Sequence, residues 1–337
     1  MSFNEKIAHI VYASDDRFAE VLGVSLVSLY ENSKDMYDLI VYILDSGISI
    51  ENKENIVFVS ESYKRKAPIF IKAKDISQEL QMDVDIDRGS LSQYARLFVS
   101  SDLPYDLNRV LYLDCDIIIS RSIRELWKLD LQGKTIGALM DAFSKHYRIN
   151  IDLKPNDVMF NSGVMLIDLN RWKERKVEER LLRFISSKKG KIQQGDQGAL
   201  NAVLSYDTYC FEPRFNSVTI FYDFTYKDLM IYRRPPEFYS EEQLRAAVEE
   251  PNVIHFTTSF LSKRPWMTGC QHRYVDEWKK YKVMSPWKDT ALWRDNRPAW
   301  KQKGLDVYKL IPKWIALRLA GIMQAYGRPI KNKLRMK

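Results

Sequence analysis

Residues 110–119 read VLYLDCDIII, an apolar run that ends in Asp114-Cys115-Asp116 and then resumes. Such a run is typical of a buried strand, and carboxylates that interrupt buried structure need a partner. In open α/β sheets, ligands bind beyond the carboxyl ends of the strands. Residues i and i+2 of a strand face the same side, so Asp114 and Asp116 can approach one divalent cation while Cys115 turns toward the sheet. Two solvated aspartates in a turn are the alternative interpretation of the D-x-D spacing alone.

Short apolar runs separated by amphipathic segments continue on both sides of this stretch. The alternation predicts an α/β fold with a mostly parallel sheet covered by helices. Further strands are expected at residues 7–13, 39–44, 69–73, 135–140, 163–168 and 253–256. Helices are expected at residues 18–30, 90–101, 171–186 and 196–204. From about residue 271 the sequence becomes rich in Trp, Lys and Pro, which predicts one domain over residues 1–270 and an extension over residues 271–337.

The net charge of +8 is concentrated at one end of the chain. Residues 301–337 hold ten Lys or Arg and one acid, Asp306, a net charge of +9 that leaves residues 1–300 at −1. A protein that neutralises the phosphates of a nucleic acid needs basic side chains across its binding face. The near-neutral body of this chain therefore argues against a nucleic-acid partner.

Three cysteines, Cys115, Cys210 and Cys270, are widely spaced and form no C-x-x-C pair. This spacing favours reduced thiols in a cytoplasmic protein over a disulfide framework or a zinc site. The first 16 residues contain a short apolar run followed by two acids, which fits a buried strand better than a signal sequence. No run of about 18 apolar residues occurs, so a membrane-spanning helix is not expected.

The C-terminal residues 305–323 combine apolar side chains, Trp314 among them, with the cations Lys309, Lys313 and Arg318. Pro312 is expected to start a helix, because its fixed φ suits the first helical turn. A basic amphipathic helix with a tryptophan predicts peripheral attachment to the anionic inner face of the cell membrane. A helix docked on the main domain, with a solvated basic end, is the alternative.

His255 follows the short apolar run Val253-Ile254 and is a candidate third ligand for a cation at Asp114 and Asp116. Two carboxylates and one imidazole suit Mn²⁺, with Mg²⁺ as the alternative. A single histidine beside apolar residues is also typical of a hydrogen-bonded histidine in a protein core.

Seven blocks follow one another along the chain: residues 9–18 (HIVYASDDRF), 92–98 (SQYARLF), 112–116 (YLDCD), 140–141 (MD), 160–165 (FNSGVM), 195–198 (GDQG) and 255–266 (HFTTSFLSKRPW). In this order they resemble glycosyltransferase family 8, a family of retaining bacterial lipopolysaccharide and capsule glycosyltransferases that also includes glycogenin. The resemblance covers roughly residues 6–270. It implies a GT-A fold, a single Rossmann-like nucleotide-sugar-binding domain with a mixed, mostly parallel sheet, followed here by a helical C-terminal extension.

The resemblance also implies a reaction. A hexose would pass from UDP-glucose or UDP-galactose to a glycan acceptor, with retention of anomeric configuration and with Mn²⁺ or Mg²⁺ as cofactor. Asp114, Asp116 and His255 would hold the metal that bridges the two phosphates. The acceptor would be a lipid-linked oligosaccharide, another precursor of bacterial surface polysaccharide, or a glycoprotein glycan.

Donor-binding roles follow from the first two blocks. Ala13, Asp15 and Arg17 would contact the uridine, although an aspartate at the position of Asp15 can also cap a helix. Arg96 would reach the sugar or the diphosphate of the donor, although a structural salt bridge explains an arginine on an apolar helix face equally well.

The later blocks supply the residues around the reacting sugar. Asp141 and Asn161 would orient the donor sugar or the acceptor, and Asp196 and Gln197 would face the reacting sugar. A loop followed by a helix N-cap is the alternative explanation for an aspartate at position 196.

The block at residues 255–266 departs from the family pattern, because Thr258 stands where glycine is usual and the stretch before Pro265 is longer. Lys263 is the preferred candidate for binding the diphosphate, with Arg264 as the alternative.

The resemblance also bears on mechanism, because Gln197 stands at the position facing the anomeric carbon. An amide is a poor nucleophile, which favours front-face substitution over the double displacement that retaining glycosidases use.

Two other functions compete with this interpretation. A sugar nucleotidyltransferase would also use strand-end aspartates, but it would carry a Gly-rich loop after the first strand, and residues 13–18 contain no glycine. A non-catalytic carbohydrate-binding or scaffold protein could share the same fold.

Overall fold

The computed structural model describes residues 7–85, 91–295, 297 and 299–336. The strands are β1 (Ile7–Ser14), β2 (Asp38–Asp45), β3 (Ile69–Lys72), β4 (Arg109–Leu113), β5 (Ile117–Ile119), β6 (Ile136–Met140), β7 (Phe160–Asp168), β8 (Thr208–Cys210), β9 (Ser217–Val218) and β10 (Val253–His255). The α-helices are α1 (Ala19–Asn32), α2 (Ile50–Ser62), α3 (Ile76–Leu80), α4 (Val99–Asp102), α5 (Arg124–Trp127), α6 (Lys145–Ile149), α7 (Leu169–Glu174), α8 (Val177–Ser187), α9 (Gly195–Leu204), α10 (Ile220–Asp223), α11 (Tyr226–Arg233), α12 (Glu241–Glu249), α13 (Val275–Val283), α14 (Ala299–Leu310), α15 (Lys313–Ile322) and α16 (Arg328–Arg335). Short 3₁₀-helices occupy Asp16–Phe18, Leu91–Phe98, Ser205–Asp207 and Pro213–Asn216, and a π-helix occupies Met323–Gly327.

Among the described residues, a seven-stranded sheet in the order β3-β2-β1-β4-β7-β6-β8 forms the centre of the fold. β7 runs antiparallel to both of its neighbours, and every other adjacent pair in this sheet is parallel. Alternate side chains of each strand face opposite sides. In β1, Ile10 and Tyr12 therefore enter the hydrophobic cluster around α1, and Val11 enters the cluster around α9. The predicted mixed, mostly parallel sheet is confirmed.

The strand directions bring several chain segments to one edge of the sheet. β1 and β4 end at this edge, and β7, being antiparallel, begins there beside the end of β6. A bulge at Ala138 and Leu139 shifts the register just before β6 ends, and bulges are common next to active sites because they redirect side chains. A second sheet, in the order β5-β10-β9, brings His255 to the same region.

Two predicted helices differ from the observed ones. The helix predicted over residues 171–186 is interrupted between α7 and α8, where Lys176 adopts a left-handed conformation with φ 49°. The helix predicted over residues 90–101 is a 3₁₀-helix followed by the short α4, and residue 90 lies outside the described part of the chain. Leu97 and Leu181, one in each segment, are fully buried.

Residues after 270 pack against the main sheet and its helices. Trp278 and Tyr281 on α13 are buried and belong to the same hydrophobic cluster as α1. Trp287 lies so close to α1 that a Cβ atom on Gly23 would be 2.0 Å from its ring. The boundary between residues 270 and 271 stays a prediction.

The C-terminal helices are docked on the domain, in line with the alternative drawn from the sequence. Pro312 is the N-cap of α15, so its predicted position at the start of a helix is confirmed. α15 packs against α11, and a Cβ atom on Gly321 would lie 2.6 Å from the Ile231 carbonyl oxygen. Ser144 Oγ donates a hydrogen bond to the Ala325 carbonyl at 2.7 Å. Among the described residues, no helix combines the length and the apolarity needed to cross a membrane.

Candidate functional site

A cavity of about 720 Å³ lies at the sheet edge where β1, β4 and β6 end and β7 begins. Most of the site residues predicted from the sequence line it, which brings together positions as distant in sequence as 13 and 264. They are Ala13, Arg96, Asp114, Asp116, Asp141, Asn161, Asp196, Gln197 and Arg264.

Asp114, Asp116 and His255 form a cluster whose ligand atoms all lie within 4.8 Å of one another. His255 Nε2 is 3.1 Å from Asp116 Oδ1 and 3.8 Å from Asp114 Oδ2. The antiparallel pairing of β5 with β10 produces this proximity, because it places His255 opposite Ile117, the residue after Asp116. Two carboxylates and an imidazole that converge in this way fit a divalent cation.

The tautomer of His255 follows from a chain of hydrogen bonds that begins at the backbone of Gly163. The Gly163 N–H donates to Asn161 Oδ1 at 3.0 Å, so this oxygen is an acceptor. It also accepts from Asn216 Nδ2 at 3.0 Å, which leaves Asn216 Oδ1 to accept from His255 Nδ1 at 2.9 Å. In the neutral imidazole, Nδ1 then carries the proton and Nε2 turns its lone pair to the carboxylates. This is the orientation of a metal-binding histidine.

Gly163 packs directly against this cluster. A Cβ atom at this position would be 2.2 Å from His255 Cε1 and 2.7 Å from Asp114 Oδ2. The Gly163 carbonyl also accepts a hydrogen bond from the Asp114 N–H at 2.7 Å. Only glycine therefore allows β7 to approach both ligands this closely.

Arg96 connects the carboxylates of two different elements. Its guanidinium group lies 2.8 Å from Asp114 Oδ1 and 3.0 Å from Asp196 Oδ2, and it donates to the Ser162 carbonyl at 2.8 Å. Burial alone would lower the pKa of Arg96, but the carboxylates of Asp114 and Asp196 and the neighbouring Tyr112 raise it above its ordinary value. The salt bridge considered from the sequence is present, and Arg96 lines the cavity as well.

Asp141 and Asn161 lie side by side where β6 ends and β7 begins. Burial raises the pKa of Asp141, while Arg233 and hydrogen bonds from the Ala142 backbone and the Asn161 side chain act in the opposite direction. A buried carboxylate with an open side toward a cavity is a strong acceptor for hydroxyl groups.

Asp196 and Gln197 are placed by a sharp turn into α9. Gln194 and Gly195 have φ angles of 66° and 56°, and both lie in the left-handed region. Gln194 is the N-cap of α9, so Asp196 does not have the capping role considered from the sequence. It lies in the first helical turn and pairs with Arg96 instead. Gln197 Oε1 accepts a hydrogen bond from the Ser162 N–H at 3.3 Å.

Of the three residues predicted to bind uridine, Ala13 belongs to the lining of the cavity, whereas Asp15 and Arg17 do not. Asp15 caps the 3₁₀-helix Asp16–Phe18 by accepting from the Phe18 N–H at 3.2 Å, which is the capping role considered for it. Arg17 is exposed, and its guanidinium carbon lies 5.1 Å from the centre of the Trp293 ring.

Of the two candidates for binding the diphosphate, Arg264 lines the cavity and Lys263 points away from it. Arg264 lies 3.4 Å from Asp116 Oδ2 and donates to Thr258 Oγ1 at 2.7 Å. Lys263 Nζ is 3.1 Å from Asp295 Oδ2 and donates to the Thr268 carbonyl at 3.0 Å.

Sequence reasoning missed two kinds of residue. Asn216 orients His255, but it lies in a 3₁₀-helix and belongs to none of the recognised blocks. Arg328, Asn332 and Arg335 of α16 line the cavity, although the basic tail was expected at a membrane surface. No pattern in the sequence indicates these positions, because both depend on contacts between distant segments.

The family model of glycosyl transferase family 8 matches residues 9–270. General stress protein A of Bacillus subtilis is 28% identical over 289 residues, which cover 84% of this chain and 96% of that protein. The lipopolysaccharide 1,2-glucosyltransferase of Escherichia coli is 25% identical over 287 residues, 84% of this chain and 80% of that enzyme. A solved structure of the galactosyltransferase LgtC, bound to donor and acceptor sugar analogs, superposes with a TM-score of 0.69 at 23% identity. It covers 82% of this chain and 96% of the LgtC chain.

The likeness to LgtC confirms the GT-A fold expected from the sequence. The matched residues 9–270 include every block that carried the resemblance, as well as all the predicted metal ligands. The chain belongs to glycosyltransferase family 8.

Proposed function

We propose that this protein transfers glucose or galactose from a UDP-sugar to a glycan acceptor, with retention of anomeric configuration and with Mn²⁺ or Mg²⁺. The observation that carries the proposal is the cluster of Asp114, Asp116 and His255 beside a cavity lined by carboxylates and amides. The names of two similar proteins, a lipopolysaccharide glucosyltransferase and a galactosyltransferase, support transfer of a hexose. Metal-dependent release of UDP from one UDP-hexose tests it.

The residues present fit the proposed metal, because Asp114 and Asp116 supply oxygen ligands and His255 supplies a correctly oriented nitrogen. When bound, a divalent cation offsets the charge that develops on departing UDP. Arg264, next to Asp116, is placed to hold the diphosphate, whereas Lys263 is already engaged with Asp295. We therefore assign to Arg264 the role for which Lys263 was preferred.

The arrangement of Asp196 and Gln197 favours front-face substitution. Asp196 is tied to Arg96 at 3.0 Å, which lowers its reactivity as a nucleophile. Gln197 carries no charge, and its carbonyl oxygen can stabilise positive charge on the sugar. In this mechanism the bond between the anomeric carbon and UDP breaks, the acceptor hydroxyl bonds to the same face, and its proton passes to the departing phosphate oxygen.

The mechanism predicts different results for two neighbouring substitutions. Gln197→Ala should lower kcat by about 100-fold, because a fixed dipole that stabilises the charged sugar is lost. Asp196→Asn should lower activity without abolishing it, because an amide cannot form a glycosyl-enzyme and front-face substitution needs none. Intact-protein mass spectrometry of the wild type after incubation with the donor should accordingly show no adduct. Gln78→Ala, at an exposed position of α3, is the matched control and should behave as wild type. Full activity of Gln197→Ala, together with complete loss of activity in Asp196→Asn and a glycosyl adduct on Asp196 in the wild type, would favour double displacement instead.

We also propose that the C-terminal helices attach the protein to an anionic membrane surface. Their inner side is docked on the domain, yet large apolar side chains remain exposed on the outer side among basic residues. They are Leu310, Trp314, Leu319, Ile322, Met323, Ile330 and Leu334. Exposed apolar side chains combined with cations are typical of interfacial helices.

This proposal predicts the behaviour of a triple variant, Trp314→Ser with Leu319→Ser and Ile330→Ser. Cosedimentation with phosphatidylglycerol vesicles should weaken by at least tenfold, because each large apolar side chain contributes about 1.5–3 kcal/mol when fully buried. A control with three exposed apolar residues replaced elsewhere, Ile50→Ser, Phe58→Ser and Ile69→Ser, should bind as wild type. Equal binding by the tail variant and wild type would rule out attachment through these helices.

A further inference from the structure

The last helix of the protein forms one side of the cavity, and we call its lining residues the C-terminal wall: Arg328, Asn332, Arg335 and Met336. Two polar contacts from outside the tail hold this helix in place. Asn150 Nδ2 donates to the Pro329 carbonyl at 2.8 Å, and Arg335 lies 3.4 Å from Asp85 Oδ2. The tail therefore forms one wall of the cavity as well as carrying the exposed apolar side chains.

Gln193 connects the C-terminal wall to neighbouring residues through hydrogen bonds. Gln193 Oε1 accepts from Asn332 Nδ2 at 3.3 Å and from Asn150 Nδ2 at 2.8 Å. Gln193 Nε2 in turn donates to the Tyr147 carbonyl at 3.0 Å. Asn332 is therefore held by a hydrogen bond to Gln193, which also lines the cavity.

Arg233, the last residue of α11, also lines the cavity. Its guanidinium carbon lies 5.0 Å from the centre of the Phe143 ring, and its buried Nε has no hydrogen-bond partner among the residues that the structure describes. Burial raises the pKa of Tyr147 to about 12. The positive charges of Arg328 and Arg233 both act against this rise, because both guanidinium groups lie near the Tyr147 side chain.

These two arginines differ from the other arginines of the cavity. Arg96, Arg264 and Arg335 each pair with an aspartate. Neither Arg233 nor Arg328 forms an ion pair with any carboxylate in the described part of the chain. Arg233 is half-buried and acts on the charge of Asp141 without pairing with it, and Arg328 is exposed beside the cavity. The planar set of donors on each guanidinium group matches a phosphate or a carboxylate.

The site proposed for the donor diphosphate lies elsewhere in the cavity, at Asp114, Asp116 and Arg264. We infer that Arg233 and Arg328 bind an anionic group of the acceptor, so that the acceptor is a glycan bearing a phosphate, diphosphate or carboxylate. This inference rests on the proposed function and names its acceptor class. The anionic group belongs either to a soluble sugar or to the diphosphate of a lipid-linked sugar.

The test measures acceptor binding by calorimetry to the full-length protein with UDP and Mn²⁺ present, so that the donor site is filled. Glucose and galactose are each titrated as the free sugar, as the 1-phosphate and as the geranyl-diphosphate conjugate. We expect at least one anionic form to bind about tenfold or more tightly than its neutral counterpart, because hydrogen bonds to charged groups are the stronger ones. Tight binding of the 1-phosphates identifies a soluble anionic acceptor, and tight binding of the conjugates alone identifies a lipid-linked one.

Two variants test whether Arg328 and Arg233 cause the preference for anionic over neutral acceptors. Arg328 is exposed and forms no ion pair within the described part of the chain, so Arg328→Gln should leave the fold intact. Arg328→Gln should lose most of the preference for the anionic form, and Arg233→Gln should do the same. Lys331→Gln, on the same helix but outside the cavity lining, is the control and should retain it. Equal affinity of wild type for neutral and anionic forms, no binding of any form, or an equal loss for both forms in Arg328→Gln would overturn the inference. UDP release by the wild-type enzyme without acceptor reports separately on the proposed function.

Discussion

Replacing Gly163 with alanine should abolish the response of this protein to Mn²⁺ while leaving its fold intact. The added Cβ would lie 2.2 Å from His255 Cε1 and 2.7 Å from Asp114 Oδ2, so both ligands must move. Overpacking of this kind typically costs about 1–3 kcal/mol of stability, which a protein of this size tolerates. Displaced ligands and their supports typically reduce metal affinity or activity by about 10–100-fold. We expect loss of the Mn²⁺-induced increase in Tm and about a 100-fold loss of UDP release.

Gly137→Ala is the matched control for this substitution. Gly137 lies on β6, next to β7, and the atom nearest to its added Cβ is a terminal methyl carbon of Leu131 at 2.7 Å. A flexible side-chain end can move away, so this variant should keep the Mn²⁺ response. A wild-type Tm increase and wild-type activity in Gly163→Ala would contradict the proposed role of the cluster.

Replacing Arg96 with methionine should destabilise the protein more than any surface substitution. The side chains of Arg96 and Asp196 are 8% and 7% exposed, so their charges compensate each other in a largely buried setting. Removing one partner of a buried ion pair typically costs about 3–5 kcal/mol, because the remaining charge stays buried without compensation. The free energy of unfolding from urea titrations at pH 7 measures this loss.

An exposed arginine provides the comparison for this substitution. Arg171 is 38% exposed and pairs with Asp168 at 3.2 Å. Arg171→Met should cost less than about 1 kcal/mol, as exposed ion pairs usually do. A loss in Arg96→Met no greater than that in Arg171→Met would show that Arg96 is not a buried link between Asp114 and Asp196.

The sequence predicts the strand-end aspartates well because their position depends on local pattern alone. An apolar strand that ends in D-x-D puts both carboxylates at the edge of the sheet, whatever the rest of the chain does. The residues alone left His255 between a metal ligand and a core histidine, because its approach to the aspartates depends on the pairing of β10 with β5. The direction of β7 was not predictable, since a buried apolar run has the same pattern in parallel and antiparallel strands.

Tertiary contacts account for what the sequence did not reveal. The break at Lys176 requires a left-handed residue, which sequence patterns anticipate for glycine and seldom for lysine. The role of Asn216 comes from its hydrogen bonds to Asn161 and His255, residues 55 and 39 positions away along the chain. Arg328 reaches the cavity because α16 docks beside it, although its basic composition indicates only an exposed surface.

The most direct test of the central claim is release of UDP from a panel of nucleotide sugars, with Mn²⁺ and with EDTA, by wild type and by Asp116→Ala. Asp106→Ala, an exposed aspartate before β4, is the matched control. We predict turnover of UDP-glucose or UDP-galactose that requires Mn²⁺ or Mg²⁺, persists in Asp106→Ala and is lost in Asp116→Ala. Turnover that survives EDTA and the Asp116→Ala substitution would contradict the assignment of a metal-dependent glycosyltransferase site to Asp114, Asp116 and His255.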